Sequence, residues 1–477
     1  MNGPATASRE WPLVVVGGGP AGIAAATEAA RAGLRCLLID EAPTLGGQIY
    51  RQPPREFTVP DRRRLGRDQR RGDRLRAEFA GVADRVEVRS GTCVLDIADG
   101  RQLVCTSPDS GTARFAADQL VLATGAYDRS VPFPGWTLPG VITAGGAQTL
   151  MKAMRVRPGD RALVTGTGPL LLVVAGQLHH AGVRVVAVLE AGGSAFTAGT
   201  LARAWRQWGL LGDGARYRLD LARARIPVRY HHSVFAAHGD GELDSVTYGP
   251  VAATDWRPIR ERQRRVDVDL LVVGYGFVPG TELCELAGCR TEYRHRLGGW
   301  VPVRDPLMRT TARGVFAAGD GAGVAGALVA VEEGRIAGIT AAEQAGAISP
   351  AEAARRRGPS VRRLQALTGV REALDTISYP RPGLSDLSTD PTILCRCEEV
   401  TRAEVGAAIA EGARNLPAVK LFTRLGMGPC QGRTCGPSTA ELLCAATGCT
   451  PPDAGRINPR PPVKPVTLGT LAQGGTR

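Results

Sequence analysis

The chain runs Leu13-Val14-Val15-Val16 straight into Gly17-Gly18-Gly19-Pro20-Ala21-Gly22, and no other stretch narrows its fold as much. Four apolar, mostly β-branched residues read as a buried strand, and the Ala-rich run to Ala32 reads as a helix. Gly33 closes that helix, and Cys36-Leu37-Leu38-Ile39 reads as a second strand ending at Asp40. Together they make a βαβ unit with Gly-x-Gly-x-x-Gly at its turn. Gly17 permits the tight turn, Gly19 lets a pyrophosphate approach the backbone, and Gly22 lets helix and strand pack closely. The helix that starts at Pro20 turns free N–H groups, from Ala21 onward, toward phosphate. Asp40 stands about 20 residues beyond the turn, where a carboxylate accepts from a ribose 2′-OH.

The pattern returns further along. Gln119-Leu120-Val121-Leu122 reads as a strand ending in Ala123-Thr124-Gly125, which sets bare backbone beside the same ligand. A second βαβ unit begins at Arg161-Ala162-Leu163-Val164-Thr165, turns at Gly166-Thr167-Gly168-Pro169-Leu170-Leu171, and ends its second strand at Glu190. Leu171 occupies the third glycine position, and a bulky side chain there pushes helix and strand apart. Gly166, Gly168 and Glu190 therefore form either a working nicotinamide site or a fold-preserving unit with an altered ligand. Later, an apolar run ends in Gly319-Asp320 ahead of a helix over Ala327 to Ala342. That places one carboxylate beside a helix N-terminus, suited to polyol hydroxyls.

Composition excludes several classes. At 477 residues and 43% apolar content, the chain suits about three domains with full cores. No stretch approaches 18 uninterrupted apolar residues, so no transmembrane segment is expected. Arg9 and Glu10 interrupt a start that lacks the apolar core of a secretory signal, which points to a cytoplasmic protein. The net charge of +13 is almost wholly arginine, with Lys152, Lys420 and Lys464 the only lysines. Its densest stretch, Asp61 to Arg76, interleaves Arg with Asp and contains no aromatic residue on which a base could stack. A solvated helix or loop is expected there, and no nucleic-acid partner.

Of eleven cysteines, six crowd into Cys395 to Cys449. An odd count in a cytoplasmic chain argues against a disulfide framework. Cys395-x-Cys397 and Cys430-x₄-Cys435 form two close pairs, and Gly426, Gly428, Gly432 and Gly436 around the second leave N–H groups to donate to sulfur. Four such thiols hold a [2Fe–2S] cluster or a structural zinc. Cys-x-Cys is an uncommon zinc knuckle, which favours iron. Thr401 with Glu404 is a capping-box pattern ahead of an Ala-rich helix, and a second short helix is expected over Ala418 to Leu425. Cys444 and Cys449 fall outside the ligand pattern. The Pro-rich tail from Pro451 reads as extended.

These features resemble the two-dinucleotide-binding-domain flavoproteins over roughly residues 12 to 345. That resemblance implies FAD, or the other nucleotide that some relatives keep there, on Gly17, Gly19, Pro20, Ala21 and Gly22, with Asp40 and Glu41 at the adenosine ribose. Gly47, Gln48, Thr124 and Gly125 are then expected to line the cofactor, and Gly319 and Asp320 to meet its ribityl–phosphate region. Disulfide reductases of this superfamily carry a redox Cys pair after Gly-Gly. Gly46-Gly47-Gln48-Ile49-Tyr50-Arg51 has none, so thiol–disulfide chemistry at the flavin is not expected. The cysteine stretch resembles the bacterioferritin-associated-ferredoxin-like [2Fe–2S] module, with Cys-x₄-Cys where the free-standing module has Cys-x₂-Cys.

The pairing of the two, with Asp40-Glu41-Ala42-Pro43 through Gln52-Pro53-Pro54, resembles one family. It comprises the α (A) subunits of opine oxidases, hydrogen cyanide synthase and hydroxyproline or proline dehydrogenase complexes, and is similar to part of the sarcosine oxidase α subunit. The resemblance implies an α/β, two-Rossmann flavoprotein with a small helical iron–sulfur domain, ligated by Cys395, Cys397, Cys430 and Cys435. It further implies an oxidoreductase subunit that relays electrons from a glycine-oxidase-like β subunit with its own FAD, alongside a small [2Fe–2S] γ subunit. NAD(P) or another nucleotide is the candidate for the second site. Expected boundaries are 1–150 and 301–345 for the FAD domain, 151–300 for the inserted domain, 346–390 for a helical connector, 391–450 for the cluster domain and 451–477 for the tail. No His, Lys or carboxylate constellation for substrate acid–base work stands out. A self-sufficient NAD(P)H-dependent reductase and a non-catalytic scaffold are the competing readings.

Overall fold

The computed structural model describes residues 9–54, 56–57, 66–108, 111–194 and 208–473. The chain forms two compact units, one of Met1–Tyr127, Val278–Gln365 and Asn458–Arg477, the other of Asp128–Phe277 and Ala366–Ile457.

The first unit is built on β1 (Arg9–Val16), α1 (Pro20–Arg31), β2 (Cys36–Ile39), α2 (Gly66–Ala80), β3 (Val86–Arg89), β4 (Cys93–Ala98), β5 (Gln102–Ser107) and β6 (Gly111–Leu122). Its sheet has the order β3-β2-β1-β6-β5-β4, with the short strand Val315–Ala317 also paired to β6. β3, β2, β1 and β6 run parallel, while β4, β5 and β6 pair antiparallel. Both faces of β1 are covered, which is why it reads as an uninterrupted apolar run. Leu13 and Val15 pack with α1 and the helix Ala327–Gln344, and Val14 and Val16 pack on the other side with Leu283 and Cys284. Gly334 and Gly338 let that helix meet α1 backbone to backbone, since a Cβ on either would collide with the carbonyl of Ala21 or Ala25.

Register then collects the candidate residues. Val16 is opposite Ile39 and Leu122, and Leu122 is opposite Ala317. The residues that follow, Gly17, Asp40, Thr124 and Gly319, consequently leave the sheet along one edge, at the carboxyl ends of its parallel strands.

In the second unit a parallel sheet has the order Val228–Tyr230, Arg184–Glu190, Arg161–Gly166, Leu270–Gly274, Val141–Thr143. An antiparallel sheet of His232–His238, Ser245–Pro250 and Arg264–Asp267 accompanies it. The cysteine-rich segment belongs to this unit. Leu384 and Leu387 enter the core around Trp256, and the Trp136 indole donates to the Ile393 carbonyl at 2.7 Å.

Several expectations shift. The boundaries drawn at 150 and 300 fall at 127/128 and 277/278, because Val141–Thr143 supplies a strand of the second sheet while Leu283 and Cys284 fill the core of the first unit. The connector is the helix Pro350–Ser378, with Pro359 inside it, followed by a 3₁₀ segment at Pro382–Leu387. The tail is extended only in part, since helices at Pro451–Ala454 and Leu468–Gln473 interrupt it. Of the basic stretch, residues 61–65 lie outside the described residues, as do residues 1–8. From Gly66 it is α2, where Asp68 pairs with Arg71 and Asp73 with Arg76 one turn apart. Among the described residues no helix is long and apolar enough to cross a membrane.

Candidate functional site

The first glycine turn is an open cradle. Gly17 has φ +102°, and a side chain there would strike the Ala123 carbonyl. A Cβ on Gly22 would strike the Gly17 carbonyl, so only glycine lets α1 lie this close to β1. Gly19 differs from both, because its missing Cβ would meet nothing nearer than the Gly47 Cα, at 3.7 Å. α1 starts with Pro20 and has neither a side-chain cap nor an acid in its first turn. Its first N–H groups are thus left for an anion.

The Asp40 carboxylate ties this turn together. It accepts from the Gly18 N–H and, at 2.6 Å, from the Ala42 N–H. Burial pushes its carboxyl up from the usual range, against the pull of those two bonds. An ionised carboxylate has about four lone-pair sites, so capacity remains for a ribose hydroxyl. Glu41 is exposed beside it. Gly47, at φ +61°, lies against Gly19, where a Cβ would come within 2.8 Å of the Gly19 Cα. The Gln48 amide oxygen accepts from Arg51. Thr124 donates to the Gly280 carbonyl at 2.6 Å, and the Gly125 carbonyl accepts from the Gly280 N–H at 2.9 Å. Asp320 accepts from the N–H groups of Ala325 and Gly326, both at 2.9 Å.

Two contributors are not evident from sequence. Glu333 accepts from the Gly319 N–H at 2.8 Å and takes a bidentate Arg304 at 2.7 and 2.9 Å. This nearly buried pair holds the backbone beside Asp320.

The second turn keeps the tie and changes its packing. Glu190 accepts from Gly168 at 2.8 Å and Gly192 at 2.9 Å. Burial raises its carboxyl to about 7, with the Gly192 N–H, the Thr167 hydroxyl and the Gly168 N–H opposing. Gly166, at φ +143°, packs on the Gly274 carbonyl. Leu171 is fully buried, and its bulk is absorbed by Gly274, where a Cβ would stand 3.1 Å from Leu171 Cδ2. Gly168 faces Ser378, whose Cβ would lie 3.4 Å from a side chain added there.

The cysteine segment forms its own core around Leu394, Val400, Val405, Val419 and Leu443. Ile393–Cys395 pairs with Val400–Thr401, and Thr401 and Glu404 complete the capping box of the helix Arg402–Ala410. The next helix spans Leu416–Thr423, and Cys435 opens the helix Cys435–Thr447. The four thiols meet. Cys435 donates to the sulfurs of Cys395 and Cys430, and Cys397 donates to Cys430. Cys395 is lowered to about 6 by the Cys435 S–H, against burial, with help from the N–H groups of Gly426, Glu398 and Cys397. Cys430 is lowered too, first by Cys435 and then by the Thr434 and Gly432 N–H groups. Gly428 approaches Cys397 so closely that a Cβ would collide with it. Among the described residues no three side chains surround a common point as metal ligands. Even so, touching thiols with thiolate favoured at two of them are a donor set that fits a soft metal. Cys444 and Cys449 form a separate pair, with sulfurs 3.3 Å apart.

Residues 11–346 match the pyridine nucleotide-disulphide oxidoreductase family, and residues 392–475 match the sarcosine oxidase A3 domain. Hydrogen cyanide synthase subunit HcnB of Pseudomonas aeruginosa is 38% identical over 97% of this chain and 98% of its own. The A subunit of opine oxidase from Agrobacterium tumefaciens is 36% identical over 97% of this chain and 91% of its own. The chain belongs to this family of flavin-dependent oxidoreductases. In fold it is similar to L-proline dehydrogenase from P. horikoshii, with a TM-score of 0.71 at 22% identity over 97% of this chain and 80% of that one.

Proposed function

We propose that this protein is the electron-relaying α subunit of a complex that oxidises the C–N bond of an amino acid or opine. FAD is held on the first glycine turn and a [2Fe–2S] cluster by Cys395, Cys397, Cys430 and Cys435. Substrate oxidation belongs to a glycine-oxidase-like, FAD-containing β subunit, and the complex has a further partner in a small [2Fe–2S] γ subunit, in the cytoplasm. The reading rests on one observation: a single chain carries both an open glycine cradle and four thiols linked in a row by sulfur contacts. A flavin accepts electron pairs and a cluster passes electrons singly, so the two together convert one into the other. The residues serve that pairing. Gly19 leaves room for pyrophosphate, Asp40 and Glu41 present carboxylate at the ribose end, and the Gly426 and Gly432 N–H groups stabilise thiolate.

Elemental analysis and electron paramagnetic resonance of anaerobically purified, reduced protein test this. About two irons and two sulfides per chain are expected, lost in Cys430→Ser while flavin is retained. One zinc with no iron would overturn the relay. The NAD(P)H-dependent reductase keeps one observation in its favour, an exposed Pro169 directly after the second glycine of the second turn. Rapid bleaching of the flavin by NADH in the isolated chain would replace the relay with that reading.

A further inference from the structure

The end of the chain returns to the first nucleotide site. The Val463 N–H donates to the Leu95 carbonyl at 2.9 Å, and the Val463 side chain, 2% exposed, joins the core that contains Trp11, Val16 and Ile39. One residue on, the Lys464 ammonium lies 3.0 Å from Glu41 and 5.8 Å from the centre of the Tyr127 ring. Further along, the Thr112 hydroxyl donates to the Thr470 carbonyl at 3.1 Å. A tail attached at a backbone bond, a buried side chain, an ion pair and a hydroxyl is a fixed strap over the end of β2.

That location has a chemical meaning. In this sheet class the carboxylates after the second strand receive the ribose hydroxyls of a dinucleotide. Asp40 already spends part of both oxygens on the Gly18 and Ala42 N–H groups. Glu41 is the next acid on the same edge, and left alone its flexible side chain would sample several rotamers. Lys464 holds it in one.

We propose that Val463 and Lys464 complete the adenosine-ribose end of the first nucleotide site, with Lys464 a positioning residue that holds Glu41 for the ligand. The proposal rests on the reading that this turn takes FAD. It makes tail docking and nucleotide binding mutually dependent, since each orders the same carboxylate.

The chain's three lysines provide the test. Lys152 and Lys420 belong to the other unit and act as internal references. Full-length protein, stripped of flavin and then given FAD, is acetylated briefly with acetic anhydride, and each lysine is quantified by mass spectrometry. FAD is expected to slow Lys464 labelling about threefold or more, with the two references unchanged. Lys464→Met, which keeps the apolar stem, should raise the FAD dissociation constant about fivefold, the scale of a partly exposed ion pair. Glu41→Gln should do the same, and the double variant should add nothing further. FAD bound with native affinity by Lys464→Met, together with unchanged Lys464 labelling, overturns the strap alone. No FAD binding by the native chain overturns the first-site reading and the strap with it.

Discussion

At the first turn, a Cβ on the second glycine, Gly19, would meet only the Gly47 Cα, at 3.7 Å, and the third glycine brings helix onto strand. At the second turn, Ser378 stands over the second glycine and Leu171 replaces the third. Both turns nonetheless keep the same carboxylate tie, Asp40 to Gly18 and Ala42, Glu190 to Gly168 and Gly192. The tie is therefore part of the βαβ unit itself, because it satisfies N–H groups that the turn would otherwise bury. It does not by itself report a ligand. What separates the two sites is the third position, Gly22 in one and the buried Leu171 in the other.

The sharpest break in the comparison comes from Gly19→Val. Its φ of −78° suits any residue, so the fold should hold while the side chain fills the pyrophosphate position. FAD affinity should fall by about a hundredfold or more, seen as loss of flavin absorbance after gel filtration. Retained flavin would mean that the open cradle is not the binding site.

Next come the third glycine positions, where opposite substitutions should both destabilise. Gly22→Ala drives a Cβ into the Gly17 carbonyl and should cost about 3 kcal/mol by overpacking. Leu171→Ala empties a fully buried site and should cost about 3 kcal/mol by leaving a cavity. Denaturant unfolding of both variants checks the pair. A neutral Leu171→Ala would show that helix and strand can close up to the spacing of the first unit.

A smaller effect distinguishes the two acids by pH. Glu190 titrates near 7 in the folded chain against 4.5 for an unperturbed Glu, so the folded state holds the extra proton between those values. Stability of the second unit should fall as pH rises through that window, by about 2 kcal/mol. Calorimetry of native protein and Glu190→Gln at pH 5 and pH 8 should show the slope reduced in the variant. An unchanged slope would assign it to other groups.

The smallest concerns the cysteine segment. Thr401→Ala removes the capping box and should cost about 1 kcal/mol in apoprotein. A cluster linking Cys395, Cys397, Cys430 and Cys435 should mask most of that loss in holoprotein, because metal binding is coupled to folding. Thermal melts with and without iron measure the difference.

Both βαβ units, the capping box and the two cysteine pairs were legible because each is a local signal. Glycine at a positive φ, an apolar run covered on both faces and Thr-x-x-Glu before a helix all act over a few residues. The Glu333–Arg304 pair was not legible, since its partners are 29 residues apart and each alone looks like a surface charge. Lys464 against Glu41 was still further from view, and the tail it belongs to reads as an extended end.

By itself the sequence determined where strands turn into helices and which thiols lie close along the chain, because backbone sterics and hydrogen bonding act between near neighbours. The tertiary structure alone decided what packs beside each glycine turn, which sulfur meets which, which cation each carboxylate meets and where the tail comes to rest. Those outcomes depend on what other segments occupy the same space. Leu171 illustrates the division. The chain specifies a leucine in a glycine's place, but only the neighbouring Gly274 shows that the fold absorbs it.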